Sequence, residues 1–530
     1  MARDDDRRAR ASRAGRVARA LAAAALALAC ALPLASCGAE ADTADDEGFA
    51  AETAATADEG PADDEEGPED ADGAAPAGLE PTGEDLAARL DAYLSANFPQ
   101  VGMPGAAVAV VDADGVRYLA TLGDCPGADA PFVVGSLSKS FTAVAVMQLV
   151  EQGTVDLDAP AARYAQGYDV PDEVTVRSLL NQTSGFGSRD SLSEAADGRL
   201  GDTFGSFSYA NANYDLLGRV VEGASGEPYA RYLDEHVLGP LGMTASTADP
   251  VRAETLGMAP GHRDWFGLHL ADGFRHAQGD DAWGGPASGY VASSVQDMTG
   301  YLRMYLNGGA ADGGGRVLSA DSVRRMFLDR VPDPEGDTYY GMGWTSFNWD
   351  DGELVLSHDG QVENYVASMC LLPERGIGVV VLADANDNAG GNSRFFDLVS
   401  GVVTAAVGGV PAPVDAQWTA LWRQRTDVLY ACAVLVCAAP LLLVRRWPRR
   451  LASAPPRRLL AQGLALHAAL PAVLLALPLA RGVPWRDLLA FAPDAALVLV
   501  LSAALLVAAG AAKLAWVALA RNAAPPANLR

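Results

Sequence analysis

Lysine is nearly missing from this 530-residue chain. Of its 39 basic residues only Lys139 and Lys513 are lysine, and the rest are arginine. A chain that avoids lysine so strongly keeps one inside Val134-Gly135-Ser136-Leu137-Ser138-Lys139-Ser140-Phe141, which raises the question of what an amine does there that a guanidinium cannot. Cysteine is scarce too, six in all with no C-x-x-C spacing, so no structural zinc site is expected. The chain has no internal repeat, no glycine-rich phosphate loop and no G-x-S-x-G elbow, and the last absence excludes the commonest serine hydrolase design. Between Glu40 and Asp85 there are 18 acidic residues and no basic one. Such a segment cannot bury enough apolar surface to fold and reads as a self-repelling linker over 38–83. It supplies much of the net charge of −28, a sign that disfavours nucleic acid as a partner.

What is abundant is apolar sequence, 50% by residue, and it collects at the two ends. Seven arginines in the first 20 residues precede the apolar run Leu21 to Ser36, the layout of an export signal over 1–37. The run ends in Leu34-Ala35-Ser36-Cys37, which resembles a bacterial lipobox with Cys37 as the lipidated residue; an ordinary signal or an uncleaved anchor is the alternative. At the other end, Asp427 to Val444, Leu459 to Ala480 and Ala495 to Ala512 are each about long enough to cross a bilayer of roughly 30 Å. The connector 445–458 carries six arginines and no acid, while 481–494 carries two arginines and two aspartates. The positive-inside rule puts the first connector in the cytoplasm. Three spans over 427–519, behind a linker at 409–426, then leave the preceding domain outside and the tail 520–530 inside, in agreement with the export signal. Lys513 falls at the inner edge of the last span, where a snorkelling cation is expected.

Between these ends, 84–408 is ordinary globular sequence. The spacing predicts helices over 84–98, from Ser136 to Gly153, and over the stretch beginning Asn392-Ser393-Arg394; strands are expected at 105–111, 116–123, 353–360, 365–374 and 376–385. Strands at both ends of the domain around a helical middle imply an α/β (α+β) fold, one antiparallel sheet built from the two ends and flanked by helices, with a helical insertion. Cys125 and Cys370 are the two cysteines of this domain, and a disulfide and two buried thiols remain equally open.

Ser136 and Lys139 stand three residues apart at a helix start, hence on one face about one turn apart. A serine hydroxyl is a poor nucleophile until its proton is taken; a buried lysine can be the neutral amine that takes it, whereas arginine stays charged. Backbone N–H groups at the helix start suit an oxyanion. The segment 132–160, with "VTVRSLLNQTSGFG" at 174–187, "FSYANANYDLLGRVVEGASGEPYARYLDEHVLGPLGMTAST" at 207–247 and "GPASGYVASSVQDMTGYLRMYLNGG" at 285–309, resembles the beta-lactamase-related serine hydrolases, which include class C beta-lactamases, D,D-peptidases and esterases. The resemblance implies a beta-lactamase/transpeptidase-like fold, with Ser136 as nucleophile. It implies Tyr209 acting with Lys139 as general base and then as proton donor to the leaving group. It also implies that Asn211 holds the substrate amide and the lysine, that His358-Asp359-Gly360 lines the site, and that Gln361 gives the second oxyanion N–H. Many beta-lactamases of this type have lysine where His358 stands, and a histidine charged only part of the time near neutral pH would hold a substrate carboxylate less firmly.

His262, His269 and His276 recur every seven residues with Asp264, Asp280 and Asp281 nearby, but their Gly- and Trp-rich stretch has no helical period, so no metal or other cofactor is expected. The stretch reads as a loop over the cleft. The expectation is a multi-pass membrane protein with an outward-facing serine hydrolase domain that forms an acyl-enzyme on D-alanyl peptides of the wall, esters or related acyl substrates. Its partners are then a small-molecule or peptidoglycan-peptide substrate and membrane lipid, with protein partners unassigned. The alternative is a penicillin- or wall-sensing receptor built on the same acylatable domain.

Overall fold

The computed structural model describes residues 83–349 and 352–522. The export signal, Cys37, the acidic linker and residues 523–530 lie outside the described residues. The chain divides into two compact units, one of residues 83–263 and 269–416, the other of 264–268 and 417–522.

In the larger unit, helix α1 (Gly83–Val101) buries Leu86, Leu90, Tyr93 and Leu94, the four-and-three spacing of a single apolar face. Strands β1 (Gly105–Asp112) and β2 (Val116–Gly123) follow. Their turn is closed by the Asp112 carboxylate, which accepts from the N–H groups of Asp114 and Gly115. Helix α2 (Ser138–Glu151) is buried from Ser138 to Leu149 and α3 (Asn211–Ser225) stops at Gly226, left-handed at φ 77°. Helix α4 (Val295–Leu306) starts on Ser294, whose side chain accepts from the Asp297 N–H. The chain then runs through β3 (Val331–Pro332), β4 (Tyr339–Gly341), β5 (Trp344–Asn348), β6 (Leu354–Val362), β7 (Tyr365–Leu372) and β8 (Ile377–Ala383) into α5 (Gly391–Ala406).

All eight strands form one sheet in the order β2-β1-β8-β7-β6-β5-β4-β3. Its centre is antiparallel and in register, with Val108 opposite Val381, Val366 opposite Ala383 and Gly360 opposite Ala367. The first strand of the domain thus pairs with the last, as the residue pattern implied. Side chains alternate across the sheet. Ala107, Ala109 and Val111 face a core shared with α2, α3 and α4, whereas Ala106, Val108 and Val110 face α1 and α5. Strands β3 to β5 extend the sheet through 331–348, where no strand was expected. Residues 262–265 and 268–270 are also short strands, the first pairing in parallel with Ala385–Asn386, where composition pointed to a loop.

In the smaller unit, Ala416–Leu451, Pro456–Ala480 and Pro493–Leu519 are three helices long and apolar enough to cross a membrane. They contain the three runs read from sequence, each extended by several residues.

Candidate active site

Ser136 sits in a single tight turn, Gly135–Leu137, that leads straight into α2. That turn is pressed against β6. Gly135 has φ +58°, and a Cβ there would lie 2.6 Å from the Gln361 nitrogen; a Cβ on Gly360 would lie 2.2 Å from the Val134 carbonyl oxygen and 3.1 Å from the Ser136 nitrogen. Two glycines therefore let the backbones carrying the Ser136 and Gln361 N–H groups meet, which no residue with a side chain permits. The Gln361 side chain points away to the start of α5, where its Oε1 accepts from Asn392 at 2.8 Å.

Lys139 is wholly buried. Its Nζ lies 2.9 Å from Ser136 Oγ, 2.7 Å from Asn211 Oδ1 and 2.8 Å from the Ser288 carbonyl oxygen. Three acceptors match the three protons of an ammonium. The same positions also suit the neutral amine, with two N–H groups held by Asn211 and Ser288 and the lone pair directed at the Ser136 hydroxyl. One geometry therefore serves both ends of a proton transfer. The Tyr209 ring stands beside it, its centroid 4.5 Å from Nζ. Tyr209 is in turn packed edge-on to Tyr340, at 5.8 Å.

Tyr209, in the loop entering α3, and Asn211, the first residue of α3, reach the lysine, and that loop is held by Gln182. The Gln182 Oε1 accepts from the Ala210 N–H at 3.1 Å and from Asn213 Nδ2, and its carbonyl accepts from the Ser208 N–H. Gln182 has φ 57° and Met342, whose N–H bonds to the Leu180 carbonyl, has φ 50°. Non-glycine residues in this conformation are strained, and such strain gathers around functional sites.

His358, on β6, is buried and hydrogen-bonded through Nδ1 to the Asp359 carbonyl at 2.7 Å, with Nε2 3.4 Å from the Tyr340 hydroxyl. Nδ1 is therefore the donor and Nε2 the acceptor of a neutral ring. Burial, then the Lys139 charge, push its pKa down to about 3 against the pull of the Asp359 carbonyl. Burial therefore moves His358 further toward the uncharged ring than its place in the sequence implied.

Ser136, Lys139, Tyr209, Asn211, His358, Gly360 and Gln361 are brought together. The three spaced histidines are not. His262 bonds to the Asp384 carbonyl, His269 faces Asp387 at 3.7 Å, and His276 lies between Glu363 and the Gly284 carbonyl. Each has its own carboxylate within reach. Cys125 and Cys370 are both free. Sequence reasoning missed Tyr340, Gln182 and the Ser288 carbonyl; the flanking match at 285–309 held the only signal for the last.

Residues 84–398 match the family described as Beta-lactamase. The chain is 29% identical over 350 residues to "Penicillin-binding protein 4" of Amycolatopsis lactamdurans, covering 59% of this chain and 87% of that protein. It is 27% identical over 277 residues to "Protein flp" of Staphylococcus aureus strain MW2, covering 48% of this chain and 53% of flp, so it spans about half the length of that relative. Among solved structures, it is similar to the octameric penicillin-binding protein homologue from Pyrococcus abyssi, with a TM-score of 0.52 and 25% identity over 61% of this chain and 78% of that one.

Proposed function

Because this chain belongs to the beta-lactamase family, we propose that it is a membrane-anchored serine hydrolase that works outside the cell through an acyl-enzyme on Ser136. The observation that carries the reading is the contact of Lys139 Nζ with Ser136 Oγ at 2.9 Å, with the amine's other two bonds anchored. Lys139 as free amine takes the Ser136 proton while Oγ attacks the substrate carbonyl. The Ser136 and Gln361 N–H groups receive the developing oxyanion. The proton then passes, with Tyr209 as relay, to the leaving group, and water reverses the sequence to free Ser136.

The buried, neutral His358 favours uncharged or weakly charged acyl substrates over tight capture of a carboxylate. Esters and amides without a neighbouring carboxylate fit this best, while a D-alanyl peptide or a beta-lactam, each carrying a carboxylate, would be held by hydrogen bonds rather than by an ion pair at His358. Similarity to a penicillin-binding protein supports acylation by penicillins. The three apolar helices support membrane attachment, and the arginine-rich connector 445–458 supports an outward-facing domain. The domain boundaries read from sequence, including the signal with Cys37, belong to the same proposal.

The test is to challenge the full-length protein in detergent with a fluorescent penicillin, then with a panel of acyl-D-Ala-D-Ala peptides, chromogenic esters and nitrocefin. Labelling of Ser136 that clears with time, together with turnover of a peptide or ester, is expected. An acyl-enzyme that persists for hours without turnover of any member would instead indicate the receptor, and no labelling would overturn the proposal.

A further inference from the structure

The Ser288 carbonyl that holds Lys139 belongs to a tight turn in which the N–H groups of Ser288 and Gly289 donate to the Gly285 carbonyl at 3.1 and 2.9 Å. Helix α2 grips this turn twice. Lys139 donates to the carbonyl of Ser288, and Thr142, three residues further on the same face, donates to that of Ala287 at 2.7 Å. From the opposite side the turn rests on a carboxylate. Asp215, in the second turn of α3, accepts from the Gly285 N–H at 2.9 Å, and the same N–H lies 3.0 Å from Ser288 Oγ. A Cβ on Gly285 would lie 3.0 Å from Asp215 Oδ1, so a glycine is what lets the carboxylate come this close.

We propose that Asp215 is a positioning residue for the reaction: its ionised carboxylate clamps the Gly285–Ser288 turn and so fixes the Ser288 carbonyl that orients the amine of Lys139 toward Ser136. This rests on the acyl-enzyme reading above.

The arrangement explains why a carboxylate is tolerated at a site where it is costly. Asp215 accepts the Gly285 N–H, and an ionised acceptor makes that bond stronger than a neutral one would. Asn211, four residues earlier and thus on the same face of α3, holds Lys139 directly, so the helix supports the amine once by contact and once through the turn. Burial pushes the Asp215 carboxyl up to about 6, opposed by the Ser288 hydroxyl, the Lys139 charge, the Gly285 N–H and Arg219. The other groups facing it are the Tyr229 phenol and, across a cavity of about 270 Å³ that Asp215 lines, Glu222, Asp249 and Asp280. That cavity gives the carboxyl a route for proton exchange on the side away from the substrate. The clamp is therefore strongest when the carboxyl is ionised and weaker once it is protonated.

The near absence of lysine supplies the test. Full-length protein labelled with 13C-lysine has two side-chain signals, Lys139 and Lys513, and the Lys139→Arg variant assigns them. In Asp215→Asn the Lys139 signal should move and its titration midpoint fall, because a nearby negative charge is gone. Acylation of Ser136 should slow roughly tenfold or more, since small displacements of a reacting group are costly, with KM little changed. The acid limb of the rate near about pH 6 should disappear, and thermal stability should hold or rise, because the replaced carboxylate was buried at a cost. A Glu222→Gln control, on the same cavity but off the turn, should leave signal and rate within about twofold of wild type. An unmoved Lys139 signal or an unchanged rate in Asp215→Asn overturns the proposal. If that variant does not fold, Ser288→Ala removes the hydroxyl that shares the Gly285 N–H with Asp215 but keeps the carbonyl, and it should shift the same signal with a smaller loss of rate; no shift there also overturns it. If wild-type protein is not acylated at all, the acyl-enzyme reading fails, while the response of the Lys139 signal still decides whether Asp215 sets the amine.

Discussion

Lys139 makes three contacts at hydrogen-bond distance, and only an amine can make them and still surrender a proton to become a base. Asn211 supplies one of these contacts, so Asn211→Ala should leave the fold intact and lower kcat by roughly 10- to 100-fold, measured by ester hydrolysis beside a thermal melt. His358 contributes differently. A ring whose pKa falls from 6.5 to about 3 on folding favours the folded state above about pH 6.5, and that contribution is lost as pH drops toward 3. Wild-type protein should therefore lose a few kcal/mol more between about pH 7 and 4 than His358→Gln does, by urea denaturation at each pH. Asp215 has the opposite sign, since its raised pKa makes protonation stabilise the fold as pH falls through about 6. The identity of Ser136 and Lys139 was legible because two reactive side chains at a fixed spacing carry a pattern. The Ser288 carbonyl was not, because every residue has one and its direction depends on the turn. His358 was legible as a position, but its charge was not, since that depends on how deeply the fold buries it.

At the scale of elements, the site exists because the turn before α2 and strand β6 come into backbone contact at Gly135 and Gly360. The Cβ of Gly360→Ala would meet the Val134 carbonyl oxygen at 2.2 Å, and backbone on both sides leaves little room to yield. This variant should lose about 1–3 kcal/mol of stability and most of its Ser136 acylation, because separating the two segments spreads the pair of N–H donors. Acylation at the wild-type rate in a folded Gly360→Ala protein would contradict that packing account. The central strands were legible from apolar runs such as those within Gly105–Asp112 and Tyr365–Leu372, which are buried along almost their whole length. The strands β3 to β5 at one end of the sheet were not: they are two, three and five residues long, too short for a period of two to stand out. The strands at 262–265 and 268–270 were hidden for the same reason within glycine-rich sequence.

For the whole molecule, the proposal puts the hydrolase domain on one side of a membrane and the arginine-rich connector 445–458 on the other. Single cysteines introduced at Ser453 and at Ser188 into a chain without its native cysteines should differ in intact cells: an impermeant maleimide should label Ser188→Cys and spare Ser453→Cys. The reverse pattern would invert the topology. The three long apolar helices were readable at this scale because such runs are written in composition, whereas the substrate is set by loop shapes that composition does not encode. The central claim, that the amine of Lys139 activates Ser136, is tested most directly by intact-protein mass spectrometry of full-length wild type and Lys139→Arg during exposure to a penicillin. The account predicts one acyl adduct on Ser136 in wild type and an acylation rate lower by roughly 10³-fold or more in Lys139→Arg. Adduct formation in Lys139→Arg at the wild-type rate would contradict it.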